Sequence, residues 1–194
     1  RGLGDVYKRQ YMDLLTGRNT PTFAKDTVYR FMKTAHINWV RFTTVLSARA
    51  IQGAVVPLNN QNRINVLIID DSMFERNRSK KVELLAKVYD HAKHSYRFGF
   101  RMLTLGWSDG STFLPVNSVL LSSEKKKSRI NEAAPMDKRT VGYKRRALSM
   151  TKGTEAMLEL LKAAKTARIP AEYVLFDSWF SSPKSLHAVK ETGY

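Results

Sequence analysis

Ile64-Asn65-Val66-Leu67-Ile68-Ile69-Asp70-Asp71-Ser72 is the stretch that decides how this chain is read. A short β-branched run that follows a loop rich in Pro57, Asn59, Asn60 and Asn62 is expected to be a buried strand, with acids at its carboxyl end. A second run of the same kind, Glu172 to Phe176, ends in Asp177. Between them, Tyr96, Phe98, Phe100 and Met102 alternate with Arg97, Gly99 and Arg101, which predicts a strand continuing to Trp107. Ser108-Asp109-Gly110-Ser111 has the chemistry of a tight hairpin turn, and Thr112 to Leu121 is the returning strand, with Pro115 near its start.

Helices are expected around these strands. Ser79 can cap a short amphipathic helix carrying Val82, Leu85, Val88 and Tyr89. Thr154 to Arg168 places Met157, Leu158, Leu160, Leu161 and Ala164 on one face, with Pro170 beyond its end. Ser182-Pro183 opens a last helix through Leu186 and Val189 that stops at Gly193. Ahead of the first strand, residues 11–60 read as a small helical unit, with Val28, Phe31 and Met32, then Trp39, Phe42, Val45 and Leu46, at helical spacing. Arg18, Lys25, Arg30, Lys33, Arg41 and Arg49 are scattered along it and suit a helix pair lying on DNA. Residues 1–10 follow neither periodicity and read as a non-native leader.

The 194 residues carry 33 Lys and Arg against 17 Asp and Glu, a formal charge of +16, so a polyanion is the expected partner. Between Ser122 and Gly153 ten basic residues face three acids. Lys125, Lys126, Lys127, Lys144, Arg145 and Arg146 are the candidates for phosphate contact, on what reads as a polar loop. With no cysteine there is no disulfide, thiolate metal site or cysteine nucleophile, and no apolar run approaches the length of a membrane span.

The order strand, strand, strand, helix, strand, helix is that of a ribonuclease H-like α/β core, a mixed sheet with flanking helices, here over residues 61–194. If the first and last strands lie side by side and parallel, Asp70 and Asp177 meet at one sheet edge although 107 positions separate them. Two such carboxylates repel unless a hard cation joins them, and Mg2+ takes oxygen ligands from carboxylates and phosphate. Paired divalent ions on a phosphodiester are the chemistry of phosphoryl transfer.

These segments also resemble a family, the DDE transposases of bacterial insertion sequences, in the insertion-sequence family four group related to the transposon-five and transposon-ten enzymes. Ile68-Ile69-Asp70-Asp71-Ser72 resembles its first catalytic motif, and Val174-Leu175-Phe176-Asp177-Ser178-Trp179-Phe180-Ser181-Ser182-Pro183 its second. Gly99 to Trp107 with Asp109-Gly110 resembles the intervening hairpin. The resemblance implies Asp70 and Asp177 as catalytic metal ligands, two Mg2+ ions or Mn2+ in their place, and double-stranded DNA at element ends and target. It further implies a homodimer in the active complex, a cytoplasmic, DNA-associated protein, and a third catalytic acid, a Glu, beyond residue 194. The chain is accordingly expected to be an amino-terminal fragment, inactive alone. The motif selects Asp70 over Asp71. Two rival readings are a non-catalytic basic nucleic-acid-binding protein and a ribonuclease H-like nuclease without strand transfer.

Other residues carry plainer expectations. His91 and His94 read as surface histidines at a helix end, and Glu191 sits in the wrong place for the family's Glu. Trp179 and Phe180 are expected to cover the core. Ser72 and Ser178 lack a histidine base, which argues against a serine nucleophile.

Overall fold

Strand β1, Val66–Glu75, is the axis of the fold. In this computed structural model, which describes residues 16, 25–58, 63–90 and 93–194, it buries Leu67 and Ile69 on one face of a five-stranded sheet. The strand runs on through the acids instead of ending at Asp70. It does so because all ten of its residues pair antiparallel with β3, Ser95–Ser108, from Val66 opposite Ser108 to Glu75 opposite Gly99. On its other side β1 pairs in parallel with β5, Tyr173–Phe176, over Val66 to Ile69 alone. Asp70 therefore marks the end of the parallel pairing, not of the strand.

Beyond β3 lies β4, Phe113–Leu121, joined to it by the turn at Asp109-Gly110. Gly110 has φ 88°, and Asp109 Oδ1 accepts the N–H groups of Ser111 at 3.0 Å and Thr112 at 2.6 Å. Asp109 Oδ2 accepts from Arg63 Nη1 at 2.9 Å. The backbone hydrogen bond from Thr112 is the largest cause holding the Asp109 carboxyl down to about 2 from its ordinary 3.8, with Ser111 and Arg63 adding to it. Pro115 lies at a register shift next to Gly106, where a missing N–H disturbs the ladder least.

The helix expected after Ser79 is a strand instead: β2, Ala86–Asp90, pairs with β3 from Ala86 opposite Gly99 to Asp90 opposite Ser95. Leu84, with φ 57°, and Leu85 turn inward with Phe100 into a small cluster of their own, which leaves Lys87 and Tyr89 on the outward alternation. Sheet pairing outweighs the helical spacing of Val82, Leu85 and Val88.

The main core forms where one helix covers the sheet. Counting described helices from the amino end, α1 is Lys25–Lys33, α2 Trp39–Ala50, α3 Val141–Ser149, α4 Gly153–Thr166 and α5 Pro183–Glu191. Helix α4 buries Ala156, Met157, Leu160, Leu161 and Ala164 against Leu67, Ile69, Leu103, Leu105 and Trp107. It connects β4 to β5 and so returns the chain parallel to β1. Trp107 is fully buried, and its indole N–H is satisfied by the Pro170 carbonyl at 2.7 Å. Helix α5 starts as expected, with Ser182 accepting from the Ser185 N–H and Pro183 in its first turn.

Helix α3 crosses the stretch read as a polar loop. Thr140 caps it by accepting from the Tyr143 N–H, and only Val141, Tyr143 and Leu148 of its nine residues are large apolar or aromatic, which hid the periodicity. The chain divides into two compact units, residues 1–37 and 38–194, so the division falls between α1 and α2. In the first unit only residue 16 and the stretch from α1 to Ile37 are described, and the expected leader over 1–10 lies outside the described residues. In the second, α2 buries Thr44 and Ala48 against β4, and Asn117 Nδ2 donates to Thr44 Oγ1 at 2.8 Å.

Candidate active site

The last parallel pair joining β1 to β5 is Ile69 with Phe176, so the next residues on the two strands are Asp70 and Asp177. Neighbouring strands lie roughly 4.8 Å apart. Ile69 and Phe176 turn toward the core, and alternation sends the following residue of each strand to the opposite face. Asp177 keeps extended geometry, with φ −63° and ψ 151°. Both carboxylates line one cleft of about 650 Å³, together with Asp71, Glu75, Tyr89, Lys93, Arg101 and Trp179.

The three aspartates differ in what holds them. Asp71 Oδ2 accepts from Arg101 Nε at 2.6 Å and from Arg101 Nη2 at 2.5 Å, an ion pair with about a quarter of each side chain exposed. Asp177 Oδ1 accepts the Ser178 hydroxyl at 2.9 Å and, at 3.5 Å, the Trp179 N–H, so it caps the one-turn helix Ser178–Phe180. Among the described residues no hydrogen bond or ion pair reaches the Asp70 carboxylate.

Five carboxylates line the cleft, Asp70, Asp71, Glu75, Asp90 and Asp177, against two cations, Lys93 and Arg101. Both cations are already paired: Arg101 with Asp71, and Lys93 with Glu75, whose carboxyl it holds below the usual range. A phosphodiester would meet net negative charge here unless cations came with it. The donor set fits that role in kind, because two carboxylates with room for water and phosphate oxygens suit Mg2+. It is small: among the described residues no group of three or more His, Cys, Asp or Glu side chains could hold a metal ion.

Neither cleft cation was singled out by sequence. Arg101 could have been, since it interrupts the apolar run of β3 one turn of the pleat from Leu103. The six basic candidates lie elsewhere. Lys125, Lys126 and Lys127 are exposed at the one-turn helix Lys126–Ser128, and Lys144 and Arg145 are exposed on α3. Arg146 is committed within the fold: its Nε donates to Glu83 at 2.5 Å and its Nη1 to the Gly142 carbonyl at 3.2 Å.

Two further expectations change. Phe180 covers the core at 2% exposure, but Trp179 stands 68% exposed on the cleft wall. His94 sits in a turn with φ 48°, not at a helix end, and His91 lies outside the described residues. No helix among the described residues is long and apolar enough to cross a membrane.

Paired carboxylates at one cleft of a mixed α/β sheet fit the chemistry of metal-assisted phosphoryl transfer. A family model described as DDE superfamily endonuclease matches residues 14–194, nearly the whole chain, and the chain belongs to that family. Its members are nucleic-acid-cleaving enzymes that act on DNA and generally use divalent metal ions. Neither the search of curated proteins nor that of solved structures returned a match.

Proposed function

We propose that this chain is the catalytic core of a DDE transposase of a bacterial insertion sequence, hydrolysing phosphodiesters at the element's ends and transferring the strands to target DNA. The observation that carries the reading is the position of Asp70 and Asp177 one step past the Ile69–Phe176 pair, in one cleft of net negative charge. Asp70 offers an unengaged carboxylate; Asp177 offers Oδ2 while Oδ1 holds the following turn. Asp71 is occupied by Arg101, which supports Asp70 as the β1 ligand. A divalent pair held by Asp70 and Asp177 would supply activation of a water or 3′-hydroxyl and neutralisation of the charge on the leaving oxygen.

In the same reading Lys125, Lys126, Lys127, Lys144 and Arg145 hold the DNA backbone, and two copies act together on paired element ends. The test is Mn2+ binding and Mg2+-dependent plasmid nicking, compared between the parent and the Asp70→Asn and Asp177→Asn variants. Asparagine preserves the cap at 177 while removing the charge. Each variant should lose at least about tenfold in Mn2+ affinity, about 1.4 kcal/mol, and any metal-dependent nicking with it. Unchanged Mn2+ affinity in both variants would overturn the proposal and favour a basic DNA-binding protein.

A further inference from the structure

Away from the acidic cleft, the two hydrophobic clusters leave a gap between them. A hollow of about 660 Å³ is lined by Phe74, Val82, Leu84 and Phe100 of the small cluster and by Val119 and Leu148 of the main one. Phe74 stands opposite Phe100 in the β1–β3 ladder, and Leu120, 37% exposed, adds to the same lining. Val40, Ser118 and Arg145 also line a second hollow, of about 510 Å³, which reaches Leu46 on α2. The two meet there and form one elongated groove. Open apolar surface of this extent on a folded chain marks a contact site.

Three guanidinium groups line the groove, against one carboxylate. Arg146 is paired with that carboxylate, Glu83, and the Arg76 guanidinium lies 4.1 Å from the centroid of the Phe74 ring. Among the described residues no hydrogen bond or ion pair reaches Arg145. Burial of its guanidinium, and then the charge of Arg146 beside it, hold its pKa below the ordinary value. Charge and shape together restrict the occupant. A DNA backbone would satisfy Arg145 and leave the floor in water, because it brings no apolar groups. A second copy carries a formal charge of +16 and the same arginines, so like charge opposes a symmetric contact. An amphipathic helix with an apolar stripe and carboxylates along its edge meets both demands, and an Arg–carboxylate pair can be bidentate.

We propose that this groove binds an acidic amphipathic helix of a partner protein, its apolar stripe on Phe74, Phe100 and Leu120 and a flanking carboxylate on Arg145. The groove shares no lining residue with the carboxylate cleft, so the inference is independent of the metal chemistry at Asp70 and Asp177.

The test uses the whole 194-residue chain and a fluorescein-labelled peptide of about 14 residues, about four helical turns, with Leu along one face and Glu flanking it. Anisotropy should show saturable binding, and a scrambled peptide of the same composition should bind at least about tenfold more weakly, which separates the groove from general attraction to a basic protein. Arg145→Ala should weaken the Leu/Glu peptide at least about fivefold, about 1 kcal/mol, with Tm unchanged. Leu120→Lys should weaken it too, although it adds a positive charge, because it removes apolar floor. The inference is overturned if the peptide does not bind saturably below about 1 mM, if the scrambled peptide binds equally, or if Leu120→Lys tightens binding. Unchanged affinity in Arg145→Ala, a variant that keeps every contact of the fold described above, overturns it as well. Self-association of the parent that Leu120→Lys abolishes, with no peptide binding, would give the groove to a second copy and refute the partner helix.

Discussion

Asp71→Asn and Asp70→Asn should have opposite consequences, although the two residues are neighbours on one strand. Asp71 accepts two hydrogen bonds from Arg101, at 2.5 Å and 2.6 Å, with side-chain exposures of 25% and 28%. A charge-assisted bond of this kind lies between the fully exposed ion pair, worth about 0–1 kcal/mol, and the well-shielded one, worth about 1.5–3 kcal/mol. Asp71→Asn should therefore cost about 1–2 kcal/mol, because it leaves Arg101 partly desolvated without its counter-charge. At about 2–4 °C per kcal/mol for a chain of this size, Tm should fall by about 2–8 °C. Asp70→Asn removes a carboxylate that nothing among the described residues engages, in a cleft with excess negative charge, so without metal Tm should hold or rise. Thermal melts by circular dichroism, in chelator and in a Mn2+ series, read both effects, since a ligand bound only to the folded state raises Tm with its concentration. The Mn2+ response should persist in Asp71→Asn and be lost in Asp70→Asn. The reasoning is refuted if Asp70→Asn is the more destabilised in chelator, or if Asp71→Asn is the variant that loses the Mn2+ response.

Asp109 sets a pH dependence: its folded carboxyl lies near 2 against an ordinary 3.8, so its contribution is complete above about pH 4 and is lost as pH falls toward 2. Asp109→Asn should flatten stability against pH across that window in chemical denaturation. Gly99→Ala would set a Cβ 2.2 Å from the Phe74 carbonyl oxygen of β1 and should cost about 1–3 kcal/mol. Gly106→Ala should cost less, because its close neighbour is the far edge of the exposed Phe113 ring, which can swing away. Neutralising Lys125, Lys126 and Lys127 should reduce the log–log salt slope of duplex binding by about 0.9 per lost phosphate contact with Tm unchanged. Arg146→Ala should instead lower Tm, because Glu83 loses its partner.

Where one face of an element is buried, the sequence was a sound guide. Leu67 and Ile69 in β1, and Met157, Leu160 and Leu161 in α4, repeat at the period of their element because the same core selects them. Asp70 and Asp177 could be paired in advance because a strand–helix–strand crossover leaves few ways to return the chain. Burial gives no such signal elsewhere. Val82, Leu85 and Val88 fit a helix by spacing, and the choice of strand came from Tyr96 and Phe98 of β3, more than six residues away. Helix α3 has too little apolar surface to show a period, and Thr140 was its main mark. Trp179 and Phe180 are similar residues, and which of them turns inward depends on the turn set by Asp177. The Arg101–Asp71 pair joins residues 30 positions apart, a partnership created by strand register.

The central claim is that Asp70 and Asp177 share divalent metal, and anomalous diffraction from crystals of this chain grown with Mn2+ tests it most directly. The account predicts manganese density between those two carboxylates, bridging β1 to the end of β5, with Asp71 still on Arg101. Manganese bound instead through Asp71 and Glu75, or ordered crystals with no manganese in the cleft at saturating Mn2+, would contradict it.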